Sequence, residues 1–113
     1  MTHRHQLVDA TGTRRRLEAL AVQGHTGRSI GVALGRPAAS SKALIHAWRN
    51  RRHIGVDIAA DVARLYDQIA DQRGPSHRTR MRALIAGFQP PEAWHGINID
   101  DPEAEPYSGG EAA

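Results

Sequence analysis

Lys42, His46 and Arg49 stand at i, i+4 and i+7, a spacing that places all three along one side of a helix. Leu44, Ile45 and Trp48 would hold that helix down from the other side. Lysine and arginine carry donors that match the O6 and N7 acceptors of guanine in a major groove. The chemistry this row offers is reading the bases of duplex DNA. Phosphate contacts are assigned to Arg14, Arg15, Arg16, Arg28, Arg36, Arg51 and Arg52, with the hydroxyls of Ser40 and Ser41 beside them. Such contacts fix register and give salt-dependent affinity without reading sequence. The plainer account of any one of these side chains is a solvated helix face. The cluster is harder to dismiss, because the bases concentrate in one half of the chain.

From Met1 to Ile54 there are ten Arg or Lys residues, and only Asp9 and Glu18 oppose them. From Gln89 to the end there are six acids and no base. A net charge of +3 conceals this division. The first half suits a polyanion and the tail would be repelled by one.

Nothing else in the 113 residues suggests a reaction. No nucleophile stands beside a base, and Tyr66 falls among the core positions of a helix, where a structural role fits better than a recombinase-type one. Gly12-Thr13-Arg14 lacks the glycine spacing and lysine of a phosphate loop. His3 and His5 have no third ligand nearby, so no metal site is expected. Asp100-Asp101 is read as a solvated or partner-binding acidic pair and not as a magnesium site. The absence of cysteine excludes a disulfide framework and a thiolate zinc site. The sequence therefore predicts no catalytic residue, no metal and no cofactor, and the chain is not expected to be an enzyme. It has neither a signal-peptide pattern nor an apolar run of membrane-spanning length. The expectation is a cytoplasmic protein, associated with the nucleoid when bound to DNA, and without a membrane partner.

The elements that must position the basic row are helices, since alanine and arginine are plentiful and β-branched and aromatic residues few. Thr13 is expected to cap a first helix through Val22, with Gly24 beyond it. Thr26 caps a second, Gly27 to Leu34, with Ile30 and Leu34 inward and Gly31 where another helix could come close. After Gly35 and Pro37, Ser40 or Ser41 caps the third, running to Asn50. Ile58, Val62, Leu65 and Ile69 mark a fourth at helical spacing. Ser76 caps a fifth, His77 to Ala86, with Met81, Leu84 and Ile85 inward. The fold class is an all-α compact bundle of about five short helices containing a helix-turn-helix, ending in an irregular acidic tail. Residues 1–10 are expected to be a flexible basic N-terminus, 11–88 the helical domain and 89–113 the proline-containing tail. Because Ser41 is polar where the compact motif needs an apolar anchor, the turn before the third helix is expected to be about three residues longer. That choice makes Lys42, His46 and Arg49 the base-reading face.

Three segments carry a family likeness: Val8 to Leu17 (VDATGTRRRL), Ala63 to Asp67 (ARLYD), and Ala86 to Trp94 (AGFQPPEAW) followed by Ile99 to Pro102 (IDDP). With these the chain resembles a group of small helix-turn-helix proteins of actinobacteria and their phages. It departs from them in its longer turn and in Phe88, where relatives carry tryptophan. The resemblance implies DNA binding. The leading reading is a sequence-preferring double-stranded DNA-binding protein, a transcriptional regulator and in origin a host or phage product, with a homodimer as one form it could take on DNA. Two other readings compete. In one, Trp94, Asp100 and Asp101 dock a protein partner and the helices are only a scaffold. In the other, the basic surface bends DNA for recombination.

Overall fold

The computed structural model describes residues 6–107. The basic N-terminal pair His3 and His5 and the last acid, Glu111, lie outside them. Along the chain run β1 (Leu7–Asp9), α1 (Thr11–Val22), α2 (Gly27–Ala33), α3 (Ala38–Arg49), β2 (His53–Gly55), α4 (Val56–Ile69) and α5 (His77–Ile85), then a 3-10 turn at Pro91–Trp94. The result is an all-α bundle with one small antiparallel ribbon, in which Leu7 pairs with Gly55, Val8 with Ile54 and Asp9 with His53. No helix among the described residues is long and apolar enough to cross a membrane.

The ribbon changes where α1 begins. Ala10 N–H donates to the Arg52 carbonyl at 2.9 Å, and the Asp9 carboxylate accepts the Thr11 N–H at 2.8 Å. Hydrogen bonding from the Thr11 side chain and from this backbone N–H holds the Asp9 carboxyl below the usual carboxylate range. The helix therefore starts at Thr11, and Thr13, expected to be its cap, is buried within the first turn. A carboxylate two residues before the first turn has replaced the hydroxyl.

α2 starts as expected, with Thr26 Oγ1 accepting the Ser29 N–H at 3.0 Å. The turn after it does not follow the expectation. Only Leu34 to Pro37 separate α2 from α3, with Gly35 at φ +83°, a conformation that strains any residue with a Cβ. Pro37 precedes the first helical residue, so neither Ser40 nor Ser41 is the cap. The long turn was inferred from the polarity of Ser41, and that polarity is satisfied locally. Ser41 Oγ donates to the Pro37 carbonyl at 2.8 Å, so the side chain sits at 0% exposure with no orphaned hydroxyl. It packs directly on Gly31, where any Cβ would overlap the Ser41 Cβ. A small residue on each helix lets α2 and α3 cross in close contact.

Leu17, Leu20, Ile30, Ile45, Trp48, Ile54, Val62 and Leu65 form the main core, with Ile58 and Ile69 packed at its edge. The four apolar positions read on α4 thus lie where their spacing put them. α5 is different. Ser76 caps it, Oγ accepting the Thr79 N–H at 3.1 Å, but its apolar residues are turned outward: Met81 is 41% exposed, Leu84 42% and Ile85 82%. Polar anchors set this rotation. Arg80 Nη1 donates to the Val22 carbonyl at 2.8 Å, and the backbone N–H groups of Gly74 and Ser76 donate to the carbonyls of Gln23 and Gly24. They bring the Ala83 side of α5 onto Ala21 and Val22, which leaves the opposite side bare.

The α2–α3 crossing yields a direct test. Gly31→Ala should lower the unfolding free energy in a urea titration by about 1–3 kcal/mol through overpacking. That loss outweighs the gain of about 1 kcal/mol that alanine brings to a helix interior. A more stable variant would mean that the two helices do not touch there.

Candidate nucleic-acid interface

α3 is buried along Ser41, Ile45 and Trp48. Opposite that stripe, at 100° per residue, lie Ala39, Ala43, His46 and Asn50, all exposed. The row Lys42, His46 and Arg49 is centred about a quarter-turn from this pole, on the side of α5. Together with Ile45 it lines one wall of a cleft of about 310 Å3 whose other wall is α5, through Thr79, Arg82, Ala83 and Ala86. Lys42 and His46 are exposed, but Arg49 is half-buried, and its guanidinium lies over the Phe88 ring at 5.3 Å. The three side chains predicted to share a face do share one. It is the flank of α3, with Ala39 and Ala43 standing further out.

The other arginines divide into two groups. Arg14, Arg51, Arg52 and His53 gather round Asp9 in a shallow depression where α1 begins and α3 ends. Arg28 is exposed at the start of α2. Arg36, half-buried after the turn, lies over the Trp48 ring at 5.4 Å. Ser40 is exposed, its Oγ donating to the Pro37 carbonyl at 3.3 Å. From Ala19 to Val56 the chain has no acidic residue at all. Besides Asp9, a carboxylate close to this surface is Glu18, whose Oε2 is 4.0 Å from Arg14 Nε. Burial pushes the Glu18 carboxyl up, against the opposing pull of Arg14, Arg49 and Arg15.

Arg15 and Arg16 belong to the second group, which departs from the phosphate role read from sequence. Arg15 stacks over the Trp94 ring at 4.5 Å. Its guanidinium donates to the carbonyls of Ile99 at 3.1 Å, Asp101 at 2.8 Å and Ala104 at 3.0 Å. Arg16 grips Asp100 with both terminal nitrogens, at 2.8 and 2.9 Å, a fork-to-fork pairing. Gly12 makes room for it, since a Cβ there would overlap the Asp100 carboxylate. Trp94 is buried, and Asp101 Oδ1 accepts the Glu103 N–H at 2.9 Å. The residues read as a partner-binding tail thus fasten the chain's own end to α1. Ser41 also leaves the list of phosphate contacts, because it is sealed against Gly31.

Sequence reasoning missed Ala39, Ala43 and the C-cap Asn50 as the outermost residues at α3; it read Arg82, with Arg78 and Arg80, as a solvated face that could extend a phosphate surface, without placing it opposite α3. The first three become legible once Ser41 is accepted as inward, because the pole of a helix follows from its buried stripe. Arg82 carries no such signal. Among the described residues no group of three or more His, Asp or Glu side chains could hold a metal ion. No protein-family model matches the chain, and no curated protein or solved structure does either.

The Arg16–Asp100 pairing predicts a pH dependence. The bond from Arg16 holds the Asp100 carboxyl below the usual carboxylate range. A lowered value in the folded state means the stabilisation is complete above the ordinary carboxylate range and is lost as pH falls through the lowered one. The effect on global stability is small, because the Asp100 side chain is 59% exposed and screened by water. It should show locally. Amide protection at Asp101 and Ala104, taken as the rate relative to an unstructured peptide at the same pH, should fall on acidification and in Asp100→Asn at neutral pH, with α1 unchanged. Equal exchange in the variant and the parent would count against the contact.

Proposed function

We propose that the chain binds double-stranded DNA through α2 and α3 acting as a helix-turn-helix, with α3 in the major groove, and that it regulates transcription. The observation that carries this reading is the Gly31–Ser41 crossing with its four-residue turn. It leaves α3 supported from behind by Ile45 and Trp48 while its whole outer side is free, which is what entry into a groove requires. The electrostatics agree, since an acid-free stretch of 38 residues from Ala19 to Val56 surrounds that helix with bases.

In this reading Lys42 and His46 read base edges from the flank of α3. Ala39 and Ala43 at its pole meet thymine methyl groups, the contact alanine is suited to. Asn50, two turns further on, fits adenine N6 and N7 or a phosphate. Arg14, Arg28, Arg51 and Arg52 hold the backbone. Arg49 steadies the wall of the cleft on Phe88 and lends its charge to the same strand. Arg15 and Arg16 take no part. The adaptor reading gains nothing from the geometry of Trp94 and Asp100, whose contacts are internal.

Selection of bound duplexes from a random pool, followed by titration of variants, tests the proposal. Lys42→Ala should cost about 1–3 kcal/mol and relax preference at one base position, whereas Arg51→Ala should weaken all sequences alike and reduce the salt slope by about 1. With Arg14, Arg28, Arg51, Arg52 and Arg49 neutralising about five phosphates, log affinity should fall against log salt with a slope of about −4.5. Ala43→Asp, which puts a carboxylate at the pole without touching the core, should abolish binding and keep the fold. If no duplex is retained above background at low salt, the DNA reading is wrong.

A further inference from the structure

We infer that the cleft between α3 and α5 is a binding site for a small aromatic carboxylate, which competes there with DNA for Lys42 and His46. The competition rests on the DNA reading above; the site itself does not. α3 and α5 both pack on α1 and make little contact with each other, so the space between them, about 310 Å3, stays open. Small-molecule pockets span about 300–1,000 Å3. A cleft at the lower end of that range suits a body of one or two rings.

The two walls share one pattern. Lys42, Ile45, His46 and Arg49 line it from α3. Thr79, Arg82, Ala83 and the cap residue Ala86 line it from α5. Each set recurs at i, i+3, i+4 and i+7, the spacing of a single helical stripe. Burial sorts the stripes into floor and rim. Ile45 and Ala83 are buried, as is Ala21, which α1 contributes, and Phe88 is half-buried beside Arg49. Lys42, His46 and Arg82 are exposed at the rim. A ring laid on that floor removes apolar surface from water, while the rim offers its edge a positive charge from either wall. A neutral apolar molecule uses only the floor and an inorganic anion only the rim. A flat carboxylate uses both.

Charge selects the anion. None of the residues lining the cleft is acidic, and neither α3 nor α5 contains an acid. Among the described residues, no carboxylate lies within 4.0 Å of Lys42, Arg49 or Arg82. Glu18 is near enough to feel Arg49, but it lies outside the cleft lining. Like charges held across an open cleft repel, and an anion between them replaces that repulsion with attraction. The guanidinium of Arg82 has the fork that matches a carboxylate. Arg49, already over Phe88, shows the stacking that a further ring can extend. A ligand seated there occupies Lys42 and His46, the two base readers, and sets its own negative charge where DNA must approach. Ligand and duplex therefore exclude one another, each weakening the other by the same factor.

Sodium 2-naphthoate is the probe, with its neutral amide and inorganic phosphate at matched ionic strength as controls. Titrated into the full chain and followed by methyl NMR, naphthoate should shift Ile45 and Ala83 with a Kd of about 1 mM or below. Met81, Leu84 and Ile85, on the outer face of α5, should not move. The amide and phosphate should each bind about tenfold more weakly or worse, as loss of a charge-assisted bond or of the apolar floor requires. Arg82→Ala should lose about tenfold. Ala86→Phe, which fills the cleft from an exposed position, should lose naphthoate altogether, and both variants should keep the parent's circular dichroism spectrum. At about ten times its Kd, naphthoate should weaken the parent's hold on a selected duplex about tenfold and leave that of Ala86→Phe unchanged. Equal binding of amide and carboxylate, or of phosphate and carboxylate, overturns the site and leaves the DNA reading standing, as do shifts confined to the outer face of α5. Naphthoate that seats in the cleft while the duplex stays bound overturns the competition. A chain that takes naphthoate and retains no duplex supports the site and overturns the DNA reading.

Discussion

The contact between Gly31 and Ser41 governs which side of α3 is exposed. Because both residues are small, α2 and α3 cross closely, and because they cross closely the turn between them needs only four residues. The crossing also fixes the rotation of α3 about its own axis. With Ser41, Ile45 and Trp48 inward, the identities of every exposed residue on that helix are settled. A side chain larger than serine at position 41, or any side chain at position 31, would pry the helices apart and turn a different face outward. Buried polarity is tolerable there for one reason: the Ser41 hydroxyl spends its proton on the Pro37 carbonyl one turn back, so no donor is left unsatisfied.

α1 is the second organiser, and it treats its two sides differently. Leu17 and Leu20 enter the main core, while Ala21 and Val22 meet Ala83 of α5. Its consecutive arginines then separate. Arg14 joins the basic depression beside Arg51 and Arg52, and Arg15 and Arg16 turn to the C-terminal segment. Residues one apart on a helix point about 100° away from each other, so a run of three arginines cannot serve one surface. The run supplies an external surface and an internal clamp at once.

Much of the bundle was legible because its signals are local. Thr26 and Ser76 act as caps where a hydroxyl precedes a helical run, and Ile58, Val62, Leu65 and Ile69 declare the buried side of α4 by spacing alone. The readings that failed needed information from elsewhere in the chain. Thr13 resembled a cap until β1 paired with β2 and brought Asp9 to the helix start. Ser41 looked too polar for an anchor, although its partner lies only four residues away, and that one misreading lengthened the expected turn and hid Ala39 and Ala43 as the outermost residues of α3. Met81, Leu84 and Ile85 looked like a core stripe by the same rule that succeeded on α4. The rule identifies a face and cannot say whether anything packs on it; on α5 the bonds from Arg80 to Val22 and between the flanking loops chose the other side.

The charge map shows how composition and structure divide the argument. Counting bases in the first half and acids in the last suggests two ends that attract, and they do meet, but at α1 and not at α3. Arg15 satisfies backbone carbonyls and stacks on Trp94, and Arg16 takes Asp100, so the attraction is satisfied between α1 and the C-terminal segment. Had the acidic segment lain on α3, it would have competed with any polyanion for the same groups. Fastened to α1, it removes two arginines from the basic surface and keeps its own carboxylates from screening the rest. The smaller set, Arg14, Arg28, Lys42, Arg51 and Arg52, is then left with no carboxylate among its neighbours except Asp9, which is occupied by Thr11, and Glu18, which burial disfavours as an anion. A basic surface is defined as much by where the acids are held as by where the bases stand.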